Sequence, residues 1–377
     1  MQLKRVLVPI ITILSFASCA QTKNTVKTNT VTPTQTEFTL NDFLQNNTAL
    51  DAKVDSVLYS LDDTAKVAQV LMPAVGRMGE KEEIIDGLVK KRMIGGLLLL
   101  NGTKDQCTGW VNKYDSINLS KKALPFLYSA DAEPSLFNRK ITGTPTVKKA
   151  NEHKTIEEVI ETTKIISKEL NDIGINYNFS PVVDMSANAT VGYRGFGQIP
   201  ENIVPFSNQF IKTSQEMNVI GTAKHFPGHG LVSGDTHKAL QVIDGELKEI
   251  HNYPPLIADG VLSIMVAHIA VENNKEWNTS GLPSTTSYKI VTELLKDSLQ
   301  FNGLIVTDAM NMGGVTAVPQ AELQSIVAGC DISLMPKNTP KAFNDIYTAY
   351  QNDADFKLRL EASVKKIIRM KICLGLL

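Results

Sequence analysis

Three imidazoles fall within the thirteen residues from His225 to His237. The stretch reads Thr222-Ala223-Lys224-His225-Phe226-Pro227-Gly228-His229-Gly230 and then Gly234-Asp235-Thr236-His237. Imidazoles this close together can bind a metal or move protons. A helical two-ligand metal site needs His at i and i+4 on one helix face, and Pro227, Gly228 and Gly230 prevent a helix here. A metal site on the loop itself stays open. The other reading starts from Asp235 and His237, two residues apart on a Gly-flanked loop, where a carboxylate can orient an imidazole and stabilise its protonated form. Such a pair serves as a general acid/base near neutrality, since an unperturbed imidazole titrates at about 6.5. Further polar residues stand at the ends of short apolar runs: Asp131 with Glu133, Asp184, Lys224 with His225, His268, and Asp308. Each alone reads as a helix cap or a solvated loop charge. Convergence from five strand ends reads as a site.

The elements that must position them follow from the apolar pattern. Runs at 68–73, 95–100, 125–130, 175–183, 219–224, 262–268, 303–307 and 331–335 alternate with amphipathic stretches at 80–92, 156–172, 202–217, 288–299 and 341–350, and a final helical pattern covers 355–372. Strands that are apolar throughout have both faces covered, and their alternation with helices argues for parallel βαβ units. Eight of them predict an α/β fold: a closed (β/α)8 TIM-type barrel forming a single catalytic domain over 39–377, with a doubly wound sheet under a helical cap as the alternative. In a barrel the active site lies at the C-terminal ends of the strands, where these polar residues cluster.

Composition narrows the function classes. A chain of 377 residues, 43% hydrophobic and 20% charged, is globular rather than disordered, collagenous or coiled-coil. Lys+Arg 38 against Asp+Glu 39 leaves a net charge of -1, with no positive excess to meet a phosphate backbone, so no nucleic-acid partner is expected. Cys19, Cys107, Cys330 and Cys373 are scattered without a CxxC, which indicates neither a zinc site nor a disulfide framework. No metal and no cofactor is expected.

Residues 1–18 read as a signal peptide, with Lys4 and Arg5 ahead of an apolar run at 6–16 that is short for a bilayer span. The run ends in Ala17-Ser18-Cys19, which resembles the lipobox of bacterial lipoproteins and implies cleavage before Cys19 and a lipid on its thiol. The expected location is the cell envelope, with the membrane as partner through that lipid. Residues 19–38, rich in Thr, Asn and Gln, read as a flexible tether.

The Lys224-to-Gly230 segment followed by Asp235-Thr236-His237 resembles the signature of bacterial β-N-acetylhexosaminidases of glycoside hydrolase family 3. Similar pieces follow the family's order: Phe179 to Asp184, Arg194-Gly195-Phe196-Gly197, Ile264 to His268, and Gly303 to Met312. The resemblance covers the chain from about residue 60 to the C-terminus. It implies a barrel-type catalytic domain with Asp308 as nucleophile, His237 as the acid/base that replaces a second carboxylate, and Asp235 as its partner. It also implies that Lys224 and His225 hold sugar hydroxyls, that Arg194 contacts the same pocket, and that Asp131 grips the non-reducing-end sugar. Asp184 and His268 are added as substrate contacts from their strand-end positions. One segment departs: where the family has Asp-x-Glu-Gly-Gly-Arg-Val-Gln-Arg, this chain runs from Asp131 through Glu133 and Pro134 to Arg139, keeping only the Asp, the Glu and the last Arg. The expected activity is exo-acting, retaining hydrolysis of terminal GlcNAc from peptidoglycan fragments or related oligosaccharides, through a glycosyl-enzyme on Asp308. A β-glucosidase of the same family and a non-catalytic sugar-binding lipoprotein are the alternatives.

Overall fold

The structure, a computed structural model, describes residues 37–185 and 192–377. The signal peptide, Cys19 and residues 19–36 of the tether lie outside the described residues. Phe38, assigned by composition to the tether, is buried with Lys53 Nζ over its ring, so the folded region already includes it.

Each of the eight apolar runs carries strand. Ala74–Val75, Gly96–Leu99, Leu127–Ala130, Tyr177–Asn178, Ile220–Phe226, Ser263–Val266 and Leu304–Thr307 form one sheet with parallel neighbours throughout. Pro73 divides the first run, since it has no N–H to give the ladder. Leu71–Met72, before it, pairs in parallel with Ser333–Leu334, while Ala74–Val75, after it, pairs with Leu98 and Leu99. At the other edge the Asp331 N–H donates to Ile305 O at 2.7 Å and the Thr307 N–H to Ile332 O at 3.0 Å, bringing the last run beside Leu304–Thr307. The fold is α/β on a parallel sheet, and the sheet residues are almost all buried because helices cover them.

The helices follow their sequence periods. Ile156–Ile173 buries Val159, Thr163, Ile166, Leu170 and Ile173 on one stripe, starts on Thr155, whose hydroxyl accepts from the Glu158 N–H, and stops at Gly174. Ala354–Cys373 packs on Thr48–Ser60, and Arg369 from it holds the carbonyl oxygens of Asp42 and Phe43. The pattern at 288–299 predicts an α-helix, but Lys289–Ser298 winds as a π-helix. Its buried residues, Ile290, Val291, Leu294 and Leu295, keep the i, i+4 spacing of an amphipathic helix, which does not distinguish the two windings. Two short parallel pairs outside the sheet have no apolar run to announce them: Gly102–Thr103 against Ile141–Thr142, and Gln241–Asp244 against Ile269–Glu272. The second has a bearing on the site. It anchors the chain just after His237 to the segment just after His268.

Candidate active site

A cavity of about 430 Å³ opens at the C-terminal ends of the strands, lined by Asp131, Arg194, Lys224, His225, His237 and Asp308 among others. A larger groove of about 640 Å³ lies elsewhere, between residues 40–45 and Pro200–Glu216, and holds none of these groups.

One wall is a buried ion network. Lys224, the fifth residue of Ile220–Phe226, is 2% exposed and places Nζ 3.0 Å from Asp131 Oδ1 and 2.6 Å from Glu133 Oε1, a carboxylate with no exposure at all. Arg194 meets Glu133 in a two-pronged contact, Nε to Oε2 at 2.8 Å and Nη2 to Oε1 at 2.7 Å. Lys140 adds a second cation to Asp131, at 3.3 Å from Oδ2. Burial alone would raise these carboxyl pKa values. The cations outweigh it, holding Glu133 at about 2 and Asp131 well below the carboxylate range, while Lys224 and Arg194 are raised by the same attractions. Asp131 is therefore an ionised acceptor at the cavity edge.

Asp308 follows Leu304–Thr307. Its N–H donates to Val266 O, and its Oδ1 accepts from the Ala309 N–H at 2.8 Å. Burial pushes its pKa up, but His225, His268, the Ala309 N–H and His237 bring it below the ordinary value. It is an ionised carboxylate, as a nucleophile requires. Opposite it, His237 Nδ1 lies 2.8 Å from Asp235 Oδ1, which also accepts the His237 N–H at 3.0 Å. Asp235 is lowered, its hydrogen bonds to His237 overcoming desolvation. The loop docks on the segment after Asp308: the Gly313 N–H donates to His237 O and the Gly314 N–H to Thr236 O. A Cβ on Gly314 would stand 2.9 Å from His268 Cβ, so glycine permits that approach.

The remaining candidates stand behind the wall. Asp184 is fully buried and accepts from the His225 N–H, His225 Nδ1 at 2.7 Å and the His229 N–H, so it fixes the His225 ring and leaves Nε2 for the cavity. Burial raises Asp184, and His225 more than reverses that. His268 has both ring nitrogens engaged: Nε2–H donates to Ala309 O at 2.9 Å and Nδ1 accepts from the Thr285 hydroxyl. The structure thus places Asp184 and His268, expected as substrate contacts, behind the cavity lining, where Asp184 holds His225 and His268 holds the Ala309 carbonyl beside Asp308. The three histidines of the loop all line the cavity, each with one ring nitrogen engaged by another residue: His225 by Asp184, His229 Nε2 by Thr236 Oγ1, and His237 by Asp235. Among the described residues no His, Cys, Asp and Glu cluster is arranged to hold a metal.

Two glutamates carry more of the site than the sequence pattern assigned. Glu133 was legible only as a strand-end acid, yet it joins Lys224 to Arg194. Glu249 had no signal at all; buried, it accepts the N–H groups of Met185, Gly230 and Leu231 and pins the base of the histidine loop. Burial and the nearby Asp184 raise its pKa to about 8, against those three donors.

Against known families, residues 62–370 match the glycosyl hydrolase family 3 N-terminal domain. The chain belongs to glycosyl hydrolase family 3. Relatives within it include a protein named beta-hexosaminidase A of Pseudoalteromonas piscicida, 35% identical over 190 residues, covering 45% of this chain and 32% of the relative. A protein named beta-N-acetylglucosaminidase/beta-glucosidase of Cellulomonas fimi is 28% identical over 352 residues, covering 84% of this chain and 61% of the relative. The chain therefore spans about a third and about three fifths of these two proteins' lengths. Two solved structures share the fold: a family 3 beta-N-acetylglucosaminidase from Paenibacillus sp. str. FPU-7, with TM-score 0.76, 24% identity and coverage of 84% and 63% of the two chains, and a beta-N-acetylhexosaminidase from Beutenbergia cavernae, with TM-score 0.74, 22% identity and coverage of 81% and 97%.

Proposed function

We propose that this family 3 member is an exo-acting, retaining β-N-acetylglucosaminidase, folded as one closed (β/α)8 barrel over 39–377 and held at the cell envelope by a lipid on Cys19. The barrel reading is supported by the ladder contacts that run from 331–335 to Leu71–Met72 on one side and to Leu304–Thr307 on the other. The observation that carries the activity is that Asp308 and His237, whose ring is held by Asp235 from behind, line one cavity. In the first step an Asp308 oxygen attacks the anomeric carbon as the glycosidic C–O bond breaks, and His237 gives its proton to the leaving oxygen. With Nδ1 held by Asp235, Nε2 is the donor. In the second step neutral His237 takes a proton from water, whose oxygen displaces Asp308 and restores the β-configured sugar. Asp131, Lys224 and His225 hold the sugar hydroxyls and Arg194 braces them through Glu133.

The substrate class we favour is GlcNAc-terminated peptidoglycan fragments, because an imidazole acid/base avoids adding a second anion beside substrates that carry carboxylates. Aryl β-GlcNAc compared with aryl β-glucoside tests this on the purified protein. A pocket matched to the acetamido group should prefer GlcNAc by up to about 10^4-fold. Preference for the glucoside would instead establish the β-glucosidase reading, which the doubly named Cellulomonas relative favours. Hydrolysis of neither, with measurable GlcNAc binding, would leave a sugar-binding protein. Cys19→Ala should shift the protein from the membrane fraction to the soluble fraction; retention on the membrane would remove the lipid from this account.

A further inference from the structure

The active-site cavity does not end at Asp131. A second cavity of about 440 Å³ shares two wall residues with it, Asn101 and Arg139, and continues over Arg77, Thr103, Gln106 and Trp110. Its charged lining is Arg77 and Arg139. The arginine ion pairs among the described residues are those of Arg92, Arg194 and Arg369, so Arg77 and Arg139, both solvent-exposed, line this open space without a carboxylate partner. The Arg77 backbone is fixed there. Its N–H donates to Asn101 O at 3.3 Å, and Gly76 before it has φ +126, with a Cβ position only 2.0 Å from Leu100 O. Thr103, also in the lining, caps the eighteen-residue helix Lys104–Lys121, whose first turn carries Asp105 against the positive end of the helix dipole. Trp110 and Gly102 form an apolar floor.

Building on the glycosidase reading, we propose that this chamber is a subsite for an oxyanion carried on the glycone: a phosphate, sulfate or carboxylate attached to a hydroxyl at the Asp131 end of the non-reducing sugar. The sugar body occupies the first cavity, with the anomeric carbon between Asp308 and His237. Its substituted end passes Arg139 into the second cavity, where Arg77 closes on the charge. Planar guanidinium groups suit such oxyanions through paired N–H donors. The neutral sugar has nothing to offer Arg77, so this residue serves specificity and takes no part in bond breaking.

The test uses the purified protein, wild type and Arg77→Ala, with four ligands and one control: GlcNAc, GlcNAc 6-phosphate, GlcNAc 6-sulfate, N-acetylmuramic acid with its 3-O-lactyl carboxylate, and inorganic sulfate. Binding is read by calorimetry and by competition against aryl β-GlcNAc hydrolysis. At least one charged sugar should bind wild type about 10- to 100-fold more tightly than GlcNAc. Arg77→Ala should erase that gain while leaving GlcNAc affinity and aryl β-GlcNAc turnover within about twofold. Which of the three gains most identifies the anion. The proposal is overturned if every charged sugar binds no better than GlcNAc, if Arg77→Ala weakens charged and neutral sugars equally, or if inorganic sulfate alone binds as tightly as the best charged sugar. Loss of aryl β-GlcNAc hydrolysis in the wild type would defeat the glycosidase reading, and the calorimetric comparison would still decide the subsite.

Discussion

Lys224 and Glu133 meet at 2.6 Å with side chains 2% and 0% exposed, whereas in the same cavity His237 and Asp235 meet at 2.8 Å with side chains 62% and 31% exposed. The two pairs have nearly the same length and opposite surroundings. In the first, Lys224 and Glu133 are taken out of water and answered also by Asp131 and Arg194, so the geometry of this wall is fixed by the protein itself. In the second, water reaches the imidazole, an environment that admits both the protonated and the neutral ring, as the proposed acid/base exchange requires. Fixed charge belongs in the wall, and variable charge on the loop. The loop is located by backbone contacts from Gly313 and Gly314, which do not depend on its protonation state.

The comparison can be broken at several points. Asp308→Asn should have the largest effect, lowering kcat for aryl β-GlcNAc by about 10^4-fold or more with the fold intact, because the proposed mechanism forms the glycosyl-enzyme on this carboxylate. Steady-state kinetics with a circular dichroism control reads this; appreciable turnover without an added nucleophile would end the assignment. Glu133→Gln should act on stability instead. It leaves Arg194 without its ion-pair partner in the wall and should cost about 3–5 kcal/mol in denaturant unfolding, while Asp235→Asn should cost about 1 kcal/mol or less. Equal costs would erase the distinction between wall and loop. The same network gives an acid signature. Glu133 falls from an ordinary value of about 4.3 to about 2 in the folded protein. Its contribution to stability is therefore complete above the ordinary value and is lost as pH falls toward 2. Glu133→Gln should flatten that part of the stability profile.

Much of this was legible in the residues. The eight runs were legible as strand because short, mostly apolar stretches alternating with amphipathic helices suit strands covered on both faces. That polar groups gather at strand ends and on a Gly-rich loop was legible in the pattern, while the roles proposed for them came from the family resemblance. The orientation of each side chain was not legible. Asp184 and His268 follow apolar runs just as Asp131 and Asp308 do, yet they point at backbone and ring partners under the wall, a difference decided by packing between distant segments. Glu249 was invisible for the same cause: its three N–H partners lie 18 to 64 residues away in sequence. The second cavity needed three loops brought together, which no local pattern reports.

The central claim is that the exposed imidazole supplies the proton, and leaving-group dependence in His237→Ala tests it most directly. The glycosylation rate should be measured for two substrates: an aryl β-GlcNAc whose phenolate departs unaided, and a GlcNAc-terminated disaccharide whose alkoxide does not. The account predicts a loss of about 10^2- to 10^4-fold on the disaccharide and a far smaller loss on the activated aryl glycoside. Equal losses on both would contradict it.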